Sequence, residues 1–297
     1  MSGFLDSRRW YVLAALYFIV ISLGHLEFSL WLVKQRQFEN TSYALKDFVP
    51  AIAAASAFSL VLWVAHIARR HARPYLWTIN WLVWFGCIAL VDRFLTFSLN
   101  ETAHYPQYAL MAWLIARCID PERREWRTAQ VIFWTTLLGM LDETMQYLWI
   151  TTSYSEHLDF NDFVVNLLAA VAGMLIYYAG ADILPRYAQS QRSGIEFGVF
   201  AGLIVCIAIG LISGRLLINP DAEIPPGGIV RMADGESRVY LQRKPGLYAR
   251  YHPGPYRGRY WILDPVTGIA LILAGGLGFT ALSLALRKAP RTERGRS

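Results

Sequence analysis

Eight apolar stretches, each near the length that crosses a bilayer, constrain this chain more than any other feature. A helix needs roughly 20 apolar residues to span the hydrocarbon, within about 17–25. Such stretches fall at approximately 10–33, 48–68, 75–97, 103–118, 129–150, 161–180, 195–217 and 265–286. The first follows Arg8 and Arg9, as the apolar run of a signal peptide would. Its run is longer than such a segment and no small-residue cleavage site follows, so it is read as an anchor. Of the 297 residues, 55% are hydrophobic and 17% are charged, against about 25% charged in a soluble domain. The expected fold is an all-α polytopic membrane protein of about eight transmembrane helices.

The basic residues set an expected orientation. Arg8 and Arg9 precede the first stretch, and Arg69, Arg70 and Arg73 separate the second and third. Arg117, Arg123, Arg124 and Arg127 lie between the fourth and fifth, and Arg186 and Arg192 between the sixth and seventh. Arg287, Lys288, Arg291, Arg294 and Arg296 form the tail. With eight spans all of these fall on one side, while 98–102 and 151–160 carry no Lys or Arg. Short loops rich in Lys and Arg stay cytoplasmic, so both termini are expected there, in a multi-pass protein of the bacterial inner membrane. The 34–47 loop, with Lys34, Arg36 and Lys46, is the exception. The net charge of +6 thus reports topology, and nucleic acid is not an expected partner. Eleven Trp and sixteen Tyr suit rings anchored at the membrane interface. Cys87, Cys118 and Cys206 lie in or near apolar runs, which fits neither a disulfide framework nor a zinc knuckle.

Three parts follow. Residues 1–217 form a transmembrane core, 218–264 a polar extracytoplasmic insertion, and 265–297 the last span with its basic tail. In the insertion, Ile229–Ala233 and Glu236–Leu241 flank Asp234-Gly235, which predicts a hairpin with a type I′ turn. Beyond it the sequence turns aromatic and basic: Arg250, Tyr251, Tyr256, Arg257, Arg259, Tyr260 and Trp261. A small β-like unit near the headgroups is expected, and it offers a surface for a protein partner.

Ionisable groups at membrane depth are costly and default to a functional reading. His104 and Tyr108 open the fourth span, Asp142, Glu143 and Gln146 close the fifth, and Asp162 and Asn166 open the sixth. In the eight-span topology all lie at one depth, towards the outer face. Asp142 and Gln146 share a helix face, as do Asp162 and Asn166. Ala169 and Gly173 continue the latter face with small residues, which lets helices pack closely in lipid. Candidate catalytic residues are His104, Asp142, Glu143 and Asp162. Candidate substrate-binding residues are Tyr108, Gln146 and Asn166. His25 with Glu27, and Asp92 with Arg93, lie at the same end, with Glu27 or Asp142 open as the partner of Arg93. Plainer readings stand beside these: an interfacial His104, an inter-helix network at Asp142–Gln146, and Asp162 as the cap of its helix. Two carboxylates and a His suit general acid–base work or a divalent metal. No His-Glu-x-x-His and no Gly-x-Ser-x-Gly is present, so no metal ligand, cofactor or reaction is assigned.

Over about 75–180 the three patterns, in this order, resemble the VanZ-like family of small bacterial membrane proteins. That family shows an acidic residue, a His-Phe pair and a Tyr at the start of one span, matched here across Asn100–Tyr108 by His104-Tyr105 and Tyr108. It then shows Asp-Glu-x-x-Gln, here Asp142 to Gln146, and an Asp followed by Asn, Gly and Gly, here Asp162, Asn166, Ala169 and Gly173. The chain departs in three places. Glu156 stands where the family places an Arg, Ala169 replaces its first Gly, and the acidic residue before the His is shifted or lost. The resemblance implies an envelope protein connected with resistance to the glycopeptide teicoplanin, without an established reaction. Two functions follow. The first is binding or modification of a lipid-linked or cell-wall molecule at the outer leaflet. The alternative is a non-enzymatic accessory or scaffold subunit of a membrane assembly. A transporter is disfavoured, because no inverted repeat or pair of broken spans is evident.

Overall fold

The computed structural model describes residues 9–24, 49–71, 73–123, 125–153, 155–179, 194–233 and 235–286. His25, Glu27, the 34–47 loop and the tail from Arg287 lie outside the described residues.

Among the described residues, eight α-helices fall within or alongside the eight apolar stretches. They are α1 (Arg9–Gly24), α2 (Val49–Arg70), α3 (Pro74–Phe94), α4 (His104–Ile119), α5 (Thr128–Met145), α6 (Phe160–Tyr178), α7 (Gly194–Ile212) and α8 (Pro265–Ala285). Five are long and apolar enough to cross a membrane: α2, α3, α6, α7 and α8. α4 has only 16 residues, and α5 is diluted by Thr135, Thr136, Asp142 and Glu143. Large apolar side chains face outward, among them Phe58, Leu82, Ile195, Ile209 and Leu277. Apolar exteriors on membrane-length helices are the architecture of a multi-pass helical membrane protein.

The bundle is built around α6. All but two of its residues, Asp162 and Ile176, are buried, between α3, α4, α5 and α8. The expected small-residue face lies on α4. A Cβ on Gly173 would sit 2.1 Å from the Ala109 carbonyl oxygen, so only glycine permits this approach. Gly139 of α5 does the same for Asn166, whose Cβ would lie 2.9 Å from an added methyl. α7 stands at the periphery with no buried residue. Its Glu196 accepts from Gln130 Nε2 at 2.8 Å and Trp134 Nε1 at 3.1 Å, both on α5.

The tryptophans of α3 are not interface anchors. Trp77, Trp81 and Trp84 are buried in an edge-on stack with Trp63 of α2, with centroids 5.2–6.2 Å apart. Trp84 Nε1 donates to Leu168 O at 2.7 Å and Trp77 Nε1 to Val64 O at 3.3 Å. A helix carbonyl accepts a second donor, which lets these rings join helices away from water.

Among the described residues, five short strands follow α7, all but the first within the insertion: β1 (Leu216–Leu217), β2 (Ile229–Arg231), β3 (Ser237–Tyr240), β4 (Arg250–Gly254) and β5 (Gly258–Ile262). β3 pairs parallel to β1 and antiparallel to β2, while β4 and β5 form a separate hairpin. α7 ends at Ile212, short of the expected 217, and its tail becomes β1. The β2–β3 hairpin forms as expected, but its turn differs. Met232 N donates to Glu236 O at 2.7 Å and Gly235 N to Met232 O at 3.0 Å, with Gly235 at φ +85°. The Met232–Glu236 bond closes the hairpin one residue wider on the β2 side than a two-residue type I′ turn at Asp234-Gly235 requires.

The insertion packs onto one end of the bundle. Leu158 N donates to Leu241 O at 2.8 Å and Arg243 N to Glu156 O at 2.7 Å. Asn161 Nδ2 donates to Leu95 O and Trp261 O, both at 2.8 Å, and its Oδ1 accepts from Leu263 N at 3.0 Å. Arg257 pairs with Asp92, and Phe97 packs on Tyr260 at 5.1 Å.

Candidate functional site

The insertion covers the end of the bundle where α4 begins, α5 ends and α6 begins, and there the candidate residues meet. Asp159 caps α6 by accepting from Asn161 N at 2.8 Å. Asp162 therefore does not cap its helix, and its Oδ1 is buried without a hydrogen-bond partner. One turn on, Asn166 Oδ1 lies 3.0 Å from His104 Nδ1. The same ring nitrogen is 3.6 Å from Glu143 Oε1. Ligand-type atoms of His104, Glu143 and Asp162 all lie within 4.8 Å of one another. These three could hold a metal ion, although no sequence spacing assigns them as ligands.

A second set adjoins the first. Tyr108 donates to Asp142 Oδ2 at 2.5 Å, and Gln146 Nε2 donates to the same oxygen at 3.1 Å. The His104 and Tyr108 rings are 6.0 Å apart. Asp142 and Gln146 thus share a face as their spacing requires. Arg93 is not the partner of Asp142. Its guanidinium lies over Phe94 at 5.5 Å, and Asp142 is taken up by Tyr108 and Gln146 instead.

The chain leaves α-helical geometry at this point. α5 passes into a π turn over Gln146–Ile150, in place of the continuous helix expected to 150. π turns recur at functional sites because the extra residue redirects side chains. Here Tyr147 reaches Tyr240 O of the insertion at 3.0 Å.

Two acidic residues near the cluster, Glu101 and Asp159, lie outside the set of candidate site residues. Glu101 precedes α4 in a 3₁₀ turn (Leu99–Ala103) and forms a capping box with Ser98, accepting from Phe97 N at 3.1 Å and Ser98 N at 3.0 Å. Burial, then the nearby carboxylates of Asp162 and Asp159, push its carboxyl up to about 10. The Ser98-x-x-Glu101 spacing was the available signal. Asp159 is the other, and its place three residues before Asp162 gave no sign that it, rather than Asp162, caps α6. At position 156, where the resembled family carries Arg, Glu156 forms an ion pair with Lys244 of the insertion.

Chemically the site combines a histidine, two acids with unpartnered buried oxygens, and a tyrosine–carboxylate–amide triplet. It can exchange protons, donate hydrogen bonds or ligate a cation. No protein-family model, no curated protein and no solved structure matches the chain.

Proposed function

We propose that this chain is a VanZ-like membrane protein of the bacterial envelope, and that it binds or modifies a lipid-linked or cell-wall molecule at the outer leaflet. The observation that carries the reading is the convergence of His104, Glu143, Asp162 and Asn166, from three helices, into one buried cluster. Glue between membrane helices needs paired groups; buried oxygens left unpaired on Glu143 and Asp162 are more than glue requires. In this reading all eight helices cross the bilayer, both termini are cytoplasmic, and the insertion caps the site from outside. His104 and Glu143 exchange protons with the bound molecule, and Tyr108, Gln146 and Asn166 position it.

A specific feature favours the accessory alternative. Arg250, Tyr251 and Arg259 are exposed on the β4–β5 hairpin, with Arg259 stacked over Tyr251 at 4.7 Å. Such an aromatic–basic face suits a protein partner.

The test uses the full-length chain in nanodiscs, offered lipid-linked cell-wall precursors. Binding or turnover lost in Glu143→Gln and Asp162→Asn, but kept in Asp221→Asn on the insertion surface, supports the site. Equal behaviour in all three variants overturns it. A copurifying partner that is retained through Arg250, Tyr251 and Arg259 and released by their substitution establishes the accessory role instead.

A further inference from the structure

Two buried acidic centres lie at opposite ends of α4, and they differ in how their oxygens are satisfied. At the C-terminal end, Asp120 accepts from Trp126 N at 2.9 Å, Glu125 N at 3.2 Å and the Tyr178 hydroxyl at 2.8 Å. Its carbonyl accepts from the Tyr177 hydroxyl at 2.6 Å. That carboxylate is surrounded by donors and reads as architecture.

The N-terminal centre is different. Glu143 is 6% exposed, and its Oε1 has no hydrogen-bond partner. Asp162 Oδ1 and Asp142 Oδ1 are likewise buried without one. Among the described residues, the ion pairs of Lys and Arg go to Glu125, Glu236, Glu223, Glu156 and Asp92, and to none of these acids. Glu143 and Asp162 therefore stand beside His104, with ligand-type atoms of all three within 4.8 Å of one another. Buried carboxyl groups this close together either keep their protons or take a counter-charge.

The geometry points to a divalent transition-metal cation held by His104, Glu143 and Asp162, with the Asn166 amide oxygen as a fourth ligand. Donors about 2.1 Å from one tetrahedral ion lie roughly 3.4 Å apart. The distances from His104 Nδ1 to Asn166 Oδ1, 3.0 Å, and to Glu143 Oε1, 3.6 Å, bracket that value. One imidazole, two carboxylates and a carbonyl-type oxygen suit Zn²⁺ or Mn²⁺, while an all-oxygen set would suit Ca²⁺ or Mg²⁺. Two carboxylates neutralise the ion. The ion displaces protons held by its ligands, so binding releases protons and weakens as pH falls. Asp142 stays outside the ligand set, held by Tyr108 and Gln146.

This inference rests on the site reading above and supplies what it lacks. A bare acidic centre repels a phosphate-bearing lipid, whereas a bound cation reverses the local sign and offers an open position to an anionic oxygen.

The experiment takes the full-length protein in nanodiscs, strips it with a chelator, and titrates Mn²⁺ and Zn²⁺ separately by calorimetry. One ion per chain is expected. Affinity should fall more than about 100-fold in Glu143→Gln and in Asp162→Asn, with Asp221→Asn unchanged. Pulsed electron paramagnetic resonance of wild-type protein loaded with Mn²⁺ is the second measurement and needs no folded variant. Coupling to an imidazole nitrogen is expected. No saturable ion, an ion retained equally by Glu143→Gln, or an ion without nitrogen coupling overturns the inference. If the stripped protein still binds lipid-linked precursors through Glu143, the site reading stands and the metal falls. If the ion binds and no precursor does, the metal stands and the substrate reading falls.

Discussion

The Tyr108 hydroxyl donates to Asp142 Oδ2 at 2.5 Å, joining the start of α4 to the end of α5 inside the bundle. Asp142 is 1% exposed and Tyr108 is 1% exposed, so water does not replace this bond when it is cut. Tyr108→Phe should lower stability by about 1–3 kcal/mol, the cost of leaving a buried hydrogen-bond partner unsatisfied. Asp142→Leu, which removes the acceptor, should also destabilise. The double variant should cost clearly less than the sum, because each single change already removes the same bond. Thermal unfolding of the four proteins in one detergent measures the coupling, and simple additivity would show that the pair is not energetically linked.

The close approach of α4 and α6 makes a second prediction. At Gly173 an added methyl meets Ala109 O at 2.1 Å, whereas at Gly86 of α3 it meets nothing within 4 Å. Gly173→Ala should destabilise by about 1–3 kcal/mol through overpacking. Gly86→Ala should be neutral or stabilising, since alanine favours the helix by about 1 kcal/mol. The same melting assay compares them. Equal shifts would mean that α4 and α6 are not in this contact.

What could be read in advance follows from periodicity. The helical, membrane-type architecture was legible because long apolar runs leave few alternatives, with five helices of membrane-crossing length and apolarity, and Asp142 with Gln146 because a four-residue step fixes a shared face. The convergence of His104 with Asn166 was legible only as a common depth. Sequence carries depth through topology, but not the rotation of each helix about its axis. Asp120 gave no pattern at all, since its donors come from Trp126 and from Tyr178 on a distant helix. The β4–β5 hairpin was obscured by Pro253 and Pro255, residues that ordinarily argue against a strand. Its turn is closed by the Gly254–Gly258 pair, with Gly258 at φ +79°.

The cap should carry an acid-sensitive element at His157. Its ring lies in the 151–159 connection, edge-on to Tyr248 at 5.9 Å and 3.8 Å from Asp159 Oδ2. Burial lowers its pKa below the usual 6.5, and His252 adds to this, while Asp159 and Glu156 oppose it. The unfolded chain therefore takes up a proton before the folded one does. Stability contributed here is full above about 6.5 and is lost as pH falls below it. Between roughly pH 6.5 and 5, His157→Gln should flatten the decline in melting temperature. An unchanged slope in the variant would assign the acid sensitivity to other groups.

Asn161 fixes the cap to the bundle more directly than any ion pair. Its amide is 1% exposed and serves Leu95 O, Trp261 O and Leu263 N at once. Three chain segments that surround the polar cluster meet on this one side chain. Asn161→Ala removes the side-chain bond from three backbone groups, each worth about 1–3 kcal/mol if left unsatisfied, so a loss of about 3 kcal/mol is expected. By contrast, Arg257→Ala, which removes an exposed pair with Asp92, should change stability little, because solvent screens the pair. Limited proteolysis separates the effects on the cap from those on the bundle. Cleavage within 218–264 should accelerate strongly in Asn161→Ala and little in Arg257→Ala. The reverse order would place the hold on the cap at the β4–β5 turn instead of at the start of α6.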